Sequence, residues 1–194
     1  MIHHPEAQKH AHDQIDDVVG KDRLPMFEDR ESLPYIDAIL RETMRWMPVL
    51  PVNMPHGVTD DDTFEGYFIP KGQLCTITSE ELLHDEENYK DPLVFNPDRF
   101  LDAGGKLTND MSHMMGFGFG RRICPGRYLA EGSLWSAMAC LLATFNFSKL
   151  KDEEGRELGV EPCWTTGLST HPRGFKCSIT PRSLSIAETL RNAV

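Results

Sequence analysis

The run Phe117-Gly118-Phe119-Gly120-Arg121-Arg122-Ile123-Cys124-Pro125-Gly126 holds three glycines, two aromatics, two arginines and one cysteine. Gly116, Gly118 and Gly120 permit positive φ at little cost, so the chain can bend tightly and aim the Cys124 sulfur. Pro125 and Gly126 stand where a helix would start. Cys124 is therefore expected beside a helix N-terminus, where the dipole and unpaired N–H groups favour a thiolate. A single positioned thiolate is a nucleophile, a redox sulfur or a metal ligand. Arg121 and Arg122 suit an anionic partner such as a carboxylate. The plainer alternative is a glycine-rich turn around an inert cysteine. A dinucleotide loop is disfavoured, because the glycines do not follow G-x-G-x-x-G after a strand.

One cysteine, neighbouring arginines and a flat glycine approach together fit a heme with its carboxylates and a thiolate on its iron. Here the sequence resembles the cytochrome P-450 family, whose heme loop reads Phe-x-x-Gly-x-Arg-x-Cys-x-Gly. Phe117, Gly120, Arg122, Cys124 and Gly126 fill its five fixed places. The resemblance implies that these five contact heme b and that Cys124 ligates the iron.

The elements that must position this loop can be read in order. Pro5 to Val19 has Ala7, Ala11, Ile15 and Val18 or Val19 on one helical stripe, with Pro5 as a start and Gly20 as a stop. His3, His4, His10 and His12 lack the spacing of a metal pair and read as a solvated face. Lys21 to Glu31 is a connector. A second helix runs from Ser32 or Leu33 to Met47, stopped by Pro48, with Ile36, Ile39, Leu40, Thr43 and Met47 inward. Glu42 and Arg45 are neighbours on one helix face and by spacing alone form an exposed ion pair. By resemblance they match the family's Glu-x-x-Arg, and Phe95-Asn96-Pro97-Asp98-Arg99-Phe100 matches its Phe-x-Pro-x-Arg-Phe. That implies a buried Glu42–Arg45–Arg99 cluster against the cysteine loop.

Pro48 to Gly57 is too proline-rich for a central strand. In the family this segment lines the substrate pocket, making Val49, Leu50, Val52 and Asn53 pocket candidates. His56 matches a position that meets a heme propionate, and it equally reads as an ordinary loop histidine. Thr63 to Ile69 and Leu74 to Thr78 suggest short strands turned at Glu65-Gly66 and Pro70-Lys71-Gly72. Glu80 to His84 suggests a short helix, where the family usually carries a tryptophan near Glu80. Leu101 to Met115 reads as a polar approach to the loop. Beyond Gly126, the stripe Leu129, Ala130, Ser133, Leu134, Ala137, Met138, Leu141, Leu142 predicts a strongly amphipathic core helix. Asn146 to Leu150 and Phe175 to Ile179 suggest strands of a terminal sheet. Between them, Gly167 and Leu168 resemble a hairpin tip that dips into the substrate pocket.

The fold class expected is mainly α with small β-sheets, one partial P-450 domain over residues 1–194. At 194 residues and 40% hydrophobic content the chain can bury a core of its own. A net charge of -10 argues against a general nucleic-acid binder. Five scattered cysteines suggest neither a disulfide framework nor a zinc site, and hence a reduced protein. No apolar run reaches the roughly 20 residues of a membrane helix, and no signal peptide opens the chain.

The resemblance covers essentially all of the chain but only the C-terminal part of the family's fold, whose members are roughly two to three times as long. The membrane anchor, the heme-covering helix and the long helix bearing an acid–alcohol pair are not found. The expectation is a fragment that starts just after that long helix, reaches the family's C-terminal ending and is inactive alone. For a full member the resemblance implies a monooxygenase taking O2 and a small lipophilic substrate. Electrons come from NADPH through an acidic partner such as a flavin reductase, at the cytosolic face of the endoplasmic reticulum membrane. This chain itself, without the anchor, would be soluble or cytoplasmic. Arg121, Arg122 and Arg127, with no acidic residue from Met111 to Ala130, suit such docking or are merely solvated. The rival expectation is a non-catalytic remnant or interaction-only fragment without functional heme.

Overall fold

The computed structural model describes residues 1–186 and 188. Among them, helix α1 spans Pro5–Val18, α2 Pro34–Trp46, α3 Ser79–Leu83 and α4 Arg127–Thr144. Prolines at the first positions of α1 and α2 lose no helical hydrogen bond there. Gly20 closes α1 at φ +83, donating its N–H to the Ile15 carbonyl at 3.3 Å. Pro48 closes α2. It forces Met47 out of the helical region, to φ -143 and ψ 82.

The core lies where α1, α2 and α4 meet. Ala7, Ala11 and Ile15 pack against Ile36, Ile39 and Leu40, and against Trp135, Ala139, Leu142 and Ala143. The small alanines let the helices approach closely around the large Trp135 ring. This corrects the inward face expected for α4. Of the predicted stripe only Leu142 is buried, whereas Leu129 is 77% exposed and Leu141 46%. α4 is apolar on both sides, so its period could not say which side faces the core.

Three two-stranded antiparallel sheets flank the helices: β1 (His56–Gly57) with β4 (Leu74–Cys75), β2 (Asp62–Phe64) with β3 (Tyr67–Ile69), and β5 (Phe145–Ser148) with β6 (Ser178–Pro181). Glu65 and Gly66, at φ 49 and 86, form the tight turn between β2 and β3. The Thr63–Ile69 stretch is therefore a hairpin in itself, and Leu74–Cys75 pairs back across the loop to His56–Gly57. The terminal strands lie near the expected places, with Phe145 opposite Pro181 and Ser148 opposite Ser178. β5 is tied to α1 by reciprocal bonds between the Gln8 amide and the Phe147 backbone at 2.8 and 3.1 Å. β6 is tied to α1 through Arg182 and Asp16 at 2.8 Å.

Candidate functional site

The cysteine loop is shaped by its glycines. Gly118 and Gly120 take φ +84 and +56, conformations that β-carbon-bearing residues avoid, whereas Gly116 is not among the positive-φ glycines. The Cys124 N–H donates to the Phe117 carbonyl at 2.8 Å, closing the loop on itself. Gly126 is the residue before α4, and its own φ of -84 would suit any residue. Cys124 is half-buried, a free thiol three residues before the first turn of α4.

Cys124 opens onto a cavity of about 1110 Å³, which is at or above the roughly 300–1,000 Å³ of common small-molecule sites. Its walls come from the end of α2, the segment after it, the cysteine loop and one side of α4. Of the residues singled out in the sequence, Phe117, Arg122, Cys124, His56, Val49, Leu50 and Asn53 line it. Gly120, Gly126, Val52, Gly167 and Leu168 do not. Gly120 and Gly126 shape the loop from behind. Val52 is 37% exposed on the far side of its turn, which corrects its place as a pocket residue. Leu168 is 51% exposed, and its hairpin instead meets the rim through the Thr170 N–H on the Val49 carbonyl at 2.8 Å and Trp164 edge-on to Trp46.

Glu42, Arg45 and Arg99 meet in the interior. Glu42 and Arg45 have no exposed side-chain surface, and Arg99 has 11%. Glu42 accepts from Arg45 Nε at 2.7 Å and Nη2 at 2.9 Å, from Arg99 Nε at 3.2 Å, and from the Asn96 N–H at 2.8 Å. Arg45 also donates to the carbonyls of Leu83 and Pro92, and Arg99 to those of Lys90, Asp91 and Val94. The cluster thus grips the irregular segment 83–96. Its hydrogen bonds go to Leu83 and to residues 90–96 rather than to the cysteine loop. Tyr89 lies under both guanidinium groups, 5.0 Å from Arg45 and 5.8 Å from Arg99. No sequence signal had pointed to it.

Two further features lay outside the sequence reading. Arg30 binds Asp37 at 2.5 Å and Glu131 at 2.7 Å, tying the chain before α2 to the second turn of α4. His113 is 1% exposed, and neither ring nitrogen has a hydrogen-bond partner. Burial, with the Arg41 charge adding to it and Glu131 and Asp110 opposing, pushes its pKa down to about 4. Of the basic residues, Arg121 and Arg122 are exposed, while Arg127 lies over the Tyr128 ring at 4.2 Å and bonds to its hydroxyl. Among the described residues no three His, Cys, Asp or Glu side chains form a metal-holding group, and no helix is long and apolar enough to cross a membrane.

The donor set suits a heme. The lining includes the Cys124 thiol on its glycine-bent loop, Arg122 of the same loop and His56 of the segment after α2, among mainly apolar side chains, with Cys75 and His113 also at the cavity surface. Comparison with known proteins agrees. The cytochrome P450 family model matches residues 1–178. The chain is 44% identical over 191 residues to cytochrome P450 monooxygenase claR of Ampulloclitocybe clavipes, covering 98% of this chain and 36% of that protein. It is 43% identical over 201 residues to cytochrome P450 monooxygenase 98 of Postia placenta, covering 100% of this chain and 39% of that one. Cytochrome P450 monooxygenase 208 of the same fungus is 44% identical, with 100% and 38% covered. The chain spans 36–39% of the length of these relatives.

Proposed function

This chain belongs to the cytochrome P450 family, and from that premise we propose that residues 1–194 are the C-terminal, thiolate-bearing part of a heme-dependent monooxygenase. The observation that carries the reading is Cys124 on the wall of the large apolar cavity, held by the Phe117 carbonyl on a loop bent at Gly118 and Gly120. When bound, heme b would supply oxygen activation, with the Cys124 sulfur as the ligand of its iron. Arg122 and His56, which both line the cavity, are the residues that would hold its carboxylates. The Val49–Leu50 rim and the Ala130, Leu134 and Met138 side chains would exclude water and receive a small lipophilic substrate.

Arg121 and Arg122, exposed on a stretch without acidic residues, fit docking of an acidic flavin reductase that passes electrons from NADPH. The whole protein would act at the cytosolic face of the endoplasmic reticulum membrane. The test is the ferrous–carbon monoxide spectrum of this chain joined to the upstream part of its reading frame. Cys124→Ser should abolish the thiolate-type band and Cys140→Ser should keep it. A band that survives Cys124→Ser, or is lost with Cys140→Ser, refutes the assignment.

A second reading is a heme-free interaction fragment. It is favoured by the exposure of Leu129 at 77% and Leu141 at 46% on α4, apolar surface that a self-sufficient domain would cover. Hemin titration of the chain joined to the upstream part of its reading frame separates the two readings: saturable uptake supports the first, and none supports the second.

A further inference from the structure

The cavity rim contains one buried polar residue whose side chain reaches across to the approach of the cysteine loop. Asn53 sits at φ +47, in the left-handed region that glycine prefers and that asparagine adopts more readily than most other residues. It is 6% exposed and lines the cavity. A glycine would hold this turn, closed by the Asn53 N–H on the Leu50 carbonyl at 3.2 Å, with less strain. The side chain compensates elsewhere: Asn53 Nδ2 donates to the Met115 carbonyl at 3.4 Å.

That carbonyl is well placed. It also accepts the Gly118 N–H at 3.1 Å, and two residues beyond it the Phe117 carbonyl accepts the Cys124 N–H at 2.8 Å. The other side of the rim is pinned by Ser79, fully buried, whose hydroxyl donates to the carbonyls of Leu50 and Pro51 at 3.0 and 3.1 Å. The rim is thus held to α3 by Ser79 and to the cysteine loop by Asn53.

We propose that Asn53 is a positioning residue that fixes the cavity rim and the Cys124 loop in one frame. Val49 and Leu50, which would meet the substrate, are thereby held in register with the sulfur. This consequence rests on the heme reading above, whereas the tie itself does not.

The test uses the full chain as wild type, Asn53→Gly and Asn53→Asp. Glycine keeps the backbone conformation and removes the amide. Aspartate keeps the shape and places an acceptor against the Met115 carbonyl. Amide hydrogen exchange is read over peptides covering residues 116–124, with α1 as internal control. Both variants should exchange about three- to tenfold faster there, the effect of losing one neutral hydrogen bond, with α1 unchanged. Exchange over 116–124 equal to wild type in Asn53→Gly overturns the proposal. So does protection lost throughout the chain in both variants, which would make Asn53 a general folding residue. A second readout separates positioning from stability: in the chain joined to the upstream part of its reading frame and loaded with heme, both variants should lower the thiolate-type share of the ferrous–carbon monoxide band. An unchanged share in the presence of faster exchange overturns the link to Cys124. If the wild-type joined protein shows no Cys124-dependent band, the heme reading fails and the exchange result alone decides the tie.

Discussion

Replacing Glu42 with glutamine tests what holds the frame around the site. The carboxylate accepts four hydrogen bonds at 2.7–3.2 Å, three from guanidinium groups and one from the Asn96 N–H. Glutamine is nearly isosteric but offers one acceptor oxygen, so its amide N–H groups must point at donors. Arg45, with no exposed surface, would then be left charged and unpaired. Removing one partner of a buried pair costs about 3–5 kcal/mol, a large part of the roughly 5–15 kcal/mol that holds a domain together.

In urea, with a slope of about 1–3 kcal/mol per molar, the midpoint of Glu42→Gln should fall by about 2 M. Arg99→Ala should cost less, about 1–3 kcal/mol, because Arg99 gives Glu42 a single bond and its carbonyl partners can turn to water. Replacing Glu42 and Arg45 together by leucines should not restore wild-type stability, since the carbonyls of Leu83 and Pro92 lose their donor. A Glu42→Gln loss below about 1 kcal/mol, or a larger loss for Arg99→Ala, refutes the account.

Other outcomes follow from the same geometry. His113 has its pKa lowered from 6.5 to about 4, so between these values the unfolded chain binds the extra proton. Stability should be whole above pH 6.5 and fall by on the order of 3 kcal/mol as pH drops to about 4, facing the Arg41 cation with Glu131 and Asp110 in partial opposition. His113→Phe, which keeps an edge-on ring against Phe100, should flatten that slope in pH-dependent urea melts; an unchanged slope refutes it. The 194-residue chain by itself should take up hemin weakly, release it to apomyoglobin quickly and show no Cys124-dependent turnover with reductase and NADPH, and coupled product formation would refute this. In the joined protein, Arg121→Glu should raise the KM for the reductase and weaken its dependence on salt, and an unaltered salt dependence would dismiss docking at this face.

The parts of this architecture legible in sequence are those set by local chemistry. Pro5 and Gly20 bound α1, and Pro48 ends α2, because a missing N–H or a positive φ acts within a turn; α2 starts at Pro34, one or two residues after the expected Ser32 or Leu33. The bend at Gly118 and Gly120 was legible for the same reason. The meeting of Glu42 with Arg99 was not, since spacing predicted an exposed pair and only the resemblance grouped the three residues. What stayed hidden is nonlocal. The pairing of His56–Gly57 with Leu74–Cys75, the reach of Arg30 to Glu131 and the placing of Tyr89 under two arginines depend on distant segments arriving together. The hidden role of Asn53 is of another kind. A lone asparagine in a proline-rich loop gives no sign of its φ or of the carbonyl that it faces.

α4 shows why the site and the core cannot be separated in this chain. Its Trp135, Ala139, Leu142 and Ala143 face packs on α1 and α2, while Ala130, Leu134 and Met138 form a wall of the cavity. The cavity's opposite rim continues directly from the end of α2, through Met47, Pro48 and Val49. Two of the three core helices, α2 and α4, therefore also set the distance across the cavity, and Cys124 lies three residues before the first turn of α4. A change of volume in the α2–α4 contact is transmitted to the sulfur because close-packed interiors pass strain on rather than absorb it. The Glu42 cluster on α2 and the Arg30–Glu131 bond to α4 then act alike, fixing the helices from which both walls are built.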